Sequence, residues 1–115
     1  MKACSDSFCP IHHVAIDTAD LEGTLEFFRQ VFGMTVIRKK GPDARPDSVW
    51  LDGGVQLDRA EGASPENGRL SHLSFRTTDI PAVINRAKAF GAAPVPGKGA
   101  HWFMLPDGLR FEMKE

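Results

Sequence analysis

The chain has 115 residues, 42% hydrophobic and 25% charged, with a net charge of −1 and a pI near 6.4. That length is enough for one domain with a real core. A near-neutral charge offers no basic field for nucleic acid or an anionic membrane, and no apolar run approaches the ~20 residues of a membrane span.

Residues 1–10 read as a polar leader carrying the only two cysteines, Cys4 and Cys9. No Cys or His pair of zinc-site spacing accompanies them, so they read as free thiols in a loosely held tail. The leader lacks the apolar run of a signal peptide, which predicts a cytoplasmic protein. Ile11–Asp17 alternates as a strand, with Val14 and Ile16 on one face and His13, Ala15 and Asp17 on the other. Asp20 caps a helix to about Phe32, and Gly33 stops it. Leu21, Leu25, Phe28 and Phe32 form the buried stripe of that helix. Strands follow at Met34–Arg38, Ser48–Leu51 and Val55–Asp58, with a polar loop at Lys39–Asp47 and a turn at Asp52-Gly53-Gly54.

Glu61–Arg69 is a linker rich in Gly, Ser, Pro and Asn. The order then recurs: a strand at Leu70–Arg76, a helix from Asp79 to about Phe90 stopped by Gly91, and a short proline-flanked segment at Ala93–Val95. Strands at Ala100–Leu105 and Leu109–Lys114 close the chain. His13 precedes Asp20 by seven residues, and His72 precedes Asp79 by the same seven. The reading is a single α+β domain over 11–115, built as two tandem βαβββ modules at 11–60 and 70–115 that form a curved mixed sheet.

Each module must turn one sheet face to its own helix, so parity assigns the rest. Val14, Ile16, Val55 and Leu57 face the first helix; Leu73, Phe75, Phe111 and Met113 face the second. The opposite, concave face collects His13, Gln56, His72 and Glu112, with Asp58 sharing the side of Gln56. His12 faces the other way. Two imidazoles, an amide oxygen and a carboxylate suit a divalent ion, whether Zn, Ni, Co, Mn or Fe, and leave coordination positions open for substrate or water.

On these residues the chain resembles the vicinal oxygen chelate superfamily, which includes glyoxalase I, methylmalonyl-CoA epimerase, extradiol dioxygenases and the fosfomycin and bleomycin resistance proteins. The carriers are His13-Val14-Ala15-Ile16 with Asp20-Leu21, the helix end Phe27 to Met34, His72-Leu73-Ser74-Phe75 with Asp79-Ile80, and Pro106-Asp107-Gly108 leading to Phe111-Glu112-Met113. The resemblance spans Ile11 to Lys114 and implies metal ligands at His13, Gln56, His72 and Glu112. It further implies that Glu112 doubles as a base, moving a proton while the metal chelates vicinal oxygens of a small oxygen-rich substrate. A lyase or isomerase is the implied enzyme, and a homodimer the default assembly.

Some residues depart from that pattern. The Lys39–Asp47 loop holds Asp43 and Asp47 but no glutamate, which argues against two-base epimerisation. Arg38, Lys39, Lys40 and Arg45 either hold an anionic substrate or form a solvated loop. His13, His72 and Glu112 would also satisfy an Fe(II) dioxygenase, yet the chain has no tyrosine to accompany them. A non-catalytic drug or metabolite binder is the third alternative. His101 is either an acid–base residue or an exposed strand-start histidine, and Trp50, Trp102 and Phe103 line either a pocket or the core.

Overall fold

The computed structural model describes residues 8–63 and 68–115. Cys4 and the middle of the Glu61–Arg69 linker lie outside them; Cys9 is a free, half-buried thiol. The strands are β1 (Ile11–Thr18), β2 (Val36–Lys40), β3 (Ser48–Leu51), β4 (Val55–Arg59), β5 (Leu70–Arg76), β6 (Trp102–Met104) and β7 (Arg110–Lys114), and the helices α1 (Leu21–Phe32) and α2 (Ile80–Lys88). The described residues divide into two compact units, an N-terminal unit within His13–Ser71 and a C-terminal unit in which His72–Glu115 joins residues 8–12.

In the N-terminal unit the strand order is β2-β3-β4-β1. β1 runs parallel to β4, and the other two pairs are antiparallel, so this part of the sheet is mixed. Leu21, Val49, Leu51 and Leu57 are buried together, with Ile16, Leu25, Phe28, Met34, Val36 and Val55 packed on them. This is the alternation the sequence predicts: odd residues of β3 and β4 join α1 in the core, and even ones take the other face.

α1 starts where expected, because the Asp20 carboxylate accepts a hydrogen bond from the Gly23 amide at 3.0 Å and the Thr18 hydroxyl accepts one from the Asp20 amide at 3.2 Å. It ends at Gly33, which takes the left-handed φ of 68° open to glycine. Phe32 departs from the predicted stripe. It keeps 58% of its surface exposed and packs its ring 5.5 Å from those of Phe27 and Phe28.

β2 begins two residues later than expected. The Met34 amide still donates to the Phe28 carbonyl, and the Thr35 amide donates to the Asp52 carboxylate, so both residues are spent on leaving the helix. The strand then continues to Lys40 opposite Ser48. Arg38, Lys39 and Lys40 are therefore strand residues, and the loop shrinks to 41–47.

The C-terminal unit has the order β5-β7-β6, with β5 parallel to β7 and β6 antiparallel to it. Phe103 stacks on Phe111 at 5.1 Å, Phe75 lies 6.0 Å from Phe111, and Val95, Phe103 and Met113 are buried. The cap is repeated: the Asp79 carboxylate accepts from the Ala82 amide at 3.1 Å, and Pro81 occupies the first turn. α2 ends before Phe90 because the Phe90 and Gly91 amides bond to carbonyls three residues back, tightening the last turn beyond α geometry.

The predicted second strand of this module is reduced to one bridge between Ala93 and Met104. Pro94 and Pro96 flank Val95 and remove the amide donors that a ladder would need. The second module is thus a shortened copy of the first.

Candidate metal centre

The two units carry the same pattern of registers. In the N-terminal unit Ala15 pairs with Gln56, and Gln56 pairs with Trp50. In the C-terminal unit Ser74 pairs with Glu112, and Glu112 pairs with Trp102. His13 and His72 stand two residues before Ala15 and Ser74. Each unit thus presents an imidazole, an oxygen-bearing side chain and a tryptophan on one face of its strands.

Burial sets the chemistry of these groups. His13 is 4% exposed, Gln56 7% and His72 5%. The His72 Nε2 lies 3.8 Å from a Glu112 carboxylate oxygen, and the Glu112 side chain is 14% exposed. That separation exceeds a hydrogen bond. It matches the roughly 3–4 Å between two ligands that each bind one ion at about 2.1 Å. The Trp102 ring meets the His72 ring edge to face at 4.5 Å, fixing the imidazole plane.

Glu112 also faces His101, whose Nε2 lies 3.9 Å from the second carboxylate oxygen. His101 stands just before β6 with 42% of its side chain exposed, beyond hydrogen-bond distance of that carboxylate. Its ring packs against Gly99, where any Cβ would collide with the imidazole. Burial, and then the Arg76 and Lys114 cations, hold the His12 imidazole below the usual value, against the opposing pull of Glu112.

In the N-terminal unit the Gln56 amide donates to Asp58 at 2.7 Å, and the Ser48 hydroxyl donates to the same carboxylate oxygen at 2.8 Å. Asp58 is thus committed to holding its neighbours. The sequence did not single out this trio. The signal was the hairpin itself, since folding β3 onto β4 about the Gly53-Gly54 turn brings Ser48 opposite Asp58. Of the aromatic residues in question, Phe103 belongs to the core, whereas Trp50 and Trp102 share the faces of Gln56 and Glu112. Each carries a cation on its ring, Arg38 at 4.6 Å over Trp50 and Lys98 at 4.9 Å over Trp102.

In each unit a buried imidazole stands with a largely buried oxygen donor, an amide in one and a carboxylate in the other, and both are donor types that a borderline divalent cation accepts. Comparison with known proteins places the chain at the level of family and fold. A lactoylglutathione lyase of Arabidopsis thaliana is 29% identical over 88% of this chain, which spans 42% of that relative's length. Among solved structures, a methylmalonyl-CoA epimerase variant of Streptomyces coelicolor, in complex with 2-nitronate-propionyl-CoA, shares the fold. Its TM-score is 0.65 at 21% identity, covering 93% of this chain and 96% of that one. A homoprotocatechuate 2,3-dioxygenase variant of B. fuscum has a TM-score of 0.64 at 18% identity, covering 91% of this chain and 33% of that one. Residues 13–113 match the family described as the Glyoxalase-like domain, from the first histidine of the repeat into the last strand, and the chain belongs to that family.

Proposed function

We propose that this chain is a metal-dependent lyase or isomerase acting on a small oxygen-rich metabolite, with His13, Gln56, His72 and Glu112 holding one divalent cation. The observation that carries the reading is the largely buried His72–Glu112 pair at 3.8 Å, supported by the same strand registers around His13 and Gln56. When bound, such a cation polarises vicinal oxygens of the substrate and makes the adjoining C–H bond more acidic. Glu112 takes that proton on a carboxylate oxygen and returns it to the neighbouring atom of the substrate. His72, wedged against Trp102, holds its imidazole in one orientation, and His101 gives the second Glu112 oxygen a neighbour that reaches solvent. The fold's relatives include enzymes named for lyase and epimerase activity.

Gln56, as a fourth donor, favours this reading over an Fe(II) dioxygenase, which needs two histidines and one carboxylate with open positions. The test is proton exchange. Incubation with methylglyoxal–thiol adducts in deuterated buffer and a divalent metal should convert or label the substrate in the native protein and not in Glu112→Gln. Ferrous-dependent oxygen uptake with a catechol, without such exchange, would replace the reading with the dioxygenase.

We also propose a homodimer. The exposed apolar residues Phe27, Val31 and Phe32 of α1 supply area for it. Sedimentation equilibrium should give twice the 12.6 kDa chain mass, and a monomer at micromolar concentration contradicts it.

A further inference from the structure

The two proposed oxygen donors of the repeat are chemically unequal. Glu112 has two equivalent carboxylate oxygens, and either serves a cation. Gln56 has one oxygen and one NH2 group, and only the oxygen can serve. An amide in this position therefore needs something to set which end faces the ion.

The hairpin of β3 and β4 contains that element. Asp58 stands two residues after Gln56 on the same face, and one of its oxygens accepts from Gln56 Nε2 at 2.7 Å and from the Ser48 hydroxyl at 2.8 Å. An ionised carboxylate only accepts, so it selects the NH2 end of the amide and leaves Oε1 at the other end. The reversed amide would set oxygen against oxygen. Ser48 lies directly across the ladder from Asp58 and braces the carboxylate. In the C-terminal unit the residue two beyond Glu112 is Lys114, which has no acceptor. The orienting acceptor thus occurs where the donor is an amide.

We propose that Asp58, braced by Ser48, is a positioning residue that fixes the Gln56 amide with its oxygen toward the metal. The inference rests on the metal-centre reading above. Outer partners of metal ligands change affinity by about 10–100-fold when removed, and residues that act through one another fail to add.

The experiment is a double-mutant cycle on Co(II) affinity, measured by calorimetric titration of the full chain, with circular dichroism confirming the fold of each variant. Asp58→Ala should weaken binding about tenfold, and Asp58→Ala should add nothing in a Gln56→Ala background. Asp58→Asn, which keeps an acceptor oxygen, should recover part of the loss. If Asp58→Ala unfolds the chain, Ser48→Ala takes its place, and its smaller loss must likewise vanish beside Gln56→Ala. An equal loss in both backgrounds, or no loss at all, overturns the positioning role. His72→Ala separates the two claims: if it and Gln56→Ala both bind Co(II) like the native protein, the metal-centre reading has failed and the inference with it.

Discussion

At the residue scale the chain reuses one pattern with different side chains. Ser74 is the repeat counterpart of Ala15, since each follows a histidine by two residues and pairs with the oxygen-bearing residue of its unit. Both are fully buried, and the Ser74 hydroxyl has no hydrogen-bond partner among the described residues. A buried unsatisfied hydroxyl costs roughly 1–3 kcal/mol. Ser74→Ala, which copies the first unit, is therefore expected to raise the unfolding free energy by about 1 kcal/mol in urea titration. A loss of stability would show that the hydroxyl has a partner in solution. The positions of His13, Gln56, His72 and Glu112 were legible because strand parity depends only on odd and even numbering. The contacts of His101 with Glu112 and Gly99 were not, because they depend on how β6 is entered, and that entry carries no periodic signal.

At the element scale the strongest predictions concern α1. Gly23 lies in its first turn, where alanine ordinarily stabilises a helix by about 1 kcal/mol over glycine. Here an added Cβ would run into the Asp20 carboxylate that caps the helix. Gly23→Ala is therefore expected to leave stability nearly unchanged, because loss of the cap offsets the usual gain. Asp20→Ala, which loses the cap with no such gain, should cost about 1 kcal/mol, and thermal melts of both variants check the pair. A more stable Gly23→Ala would mean that the cap is dispensable. Helix starts and the Ser48–Leu51 and Leu70–Arg76 strands were readable from capping residues and alternation. Helix exits were not: Met34 and Thr35 are apolar or β-branched like strand residues, but their amides serve the end of α1. Ala93–Val95 had strand composition, and its flanking prolines limited it to a bridge.

At the scale of the whole molecule, two features govern behaviour in solution. The first is the Glu22–Arg59 ion pair, which ties the start of α1 to the end of β4, while Arg59 also donates to the Pro46 carbonyl. Hydrogen bonding to Arg59 lowers the Glu22 carboxyl from 4.5 to about 2. A lowered folded-state value means that this stabilisation is full above the unfolded value and disappears as pH falls through the folded one. The difference in Tm between the native protein and Glu22→Gln should therefore be constant above pH 4.5 and shrink toward pH 2. A difference that persists unchanged at pH 2 would assign it to packing. The second feature is the repeat, whose overall βαβββ order was visible in the spacing of His13 and His72 from their capping aspartates. Its asymmetry, with Gln56 and Asp58 answering Glu112 and Lys114, became meaningful only once the hairpin register was known.

The central claim is that the repeated strands hold one divalent cation. Its most direct test is the metal content of the purified protein after dialysis against one equivalent of Zn(II) or Ni(II), measured by mass spectrometry beside His72→Ala and Glu112→Ala. The account predicts close to one ion per chain in the native protein and loss of that ion in both folded variants. Equal metal content in all three proteins would contradict it.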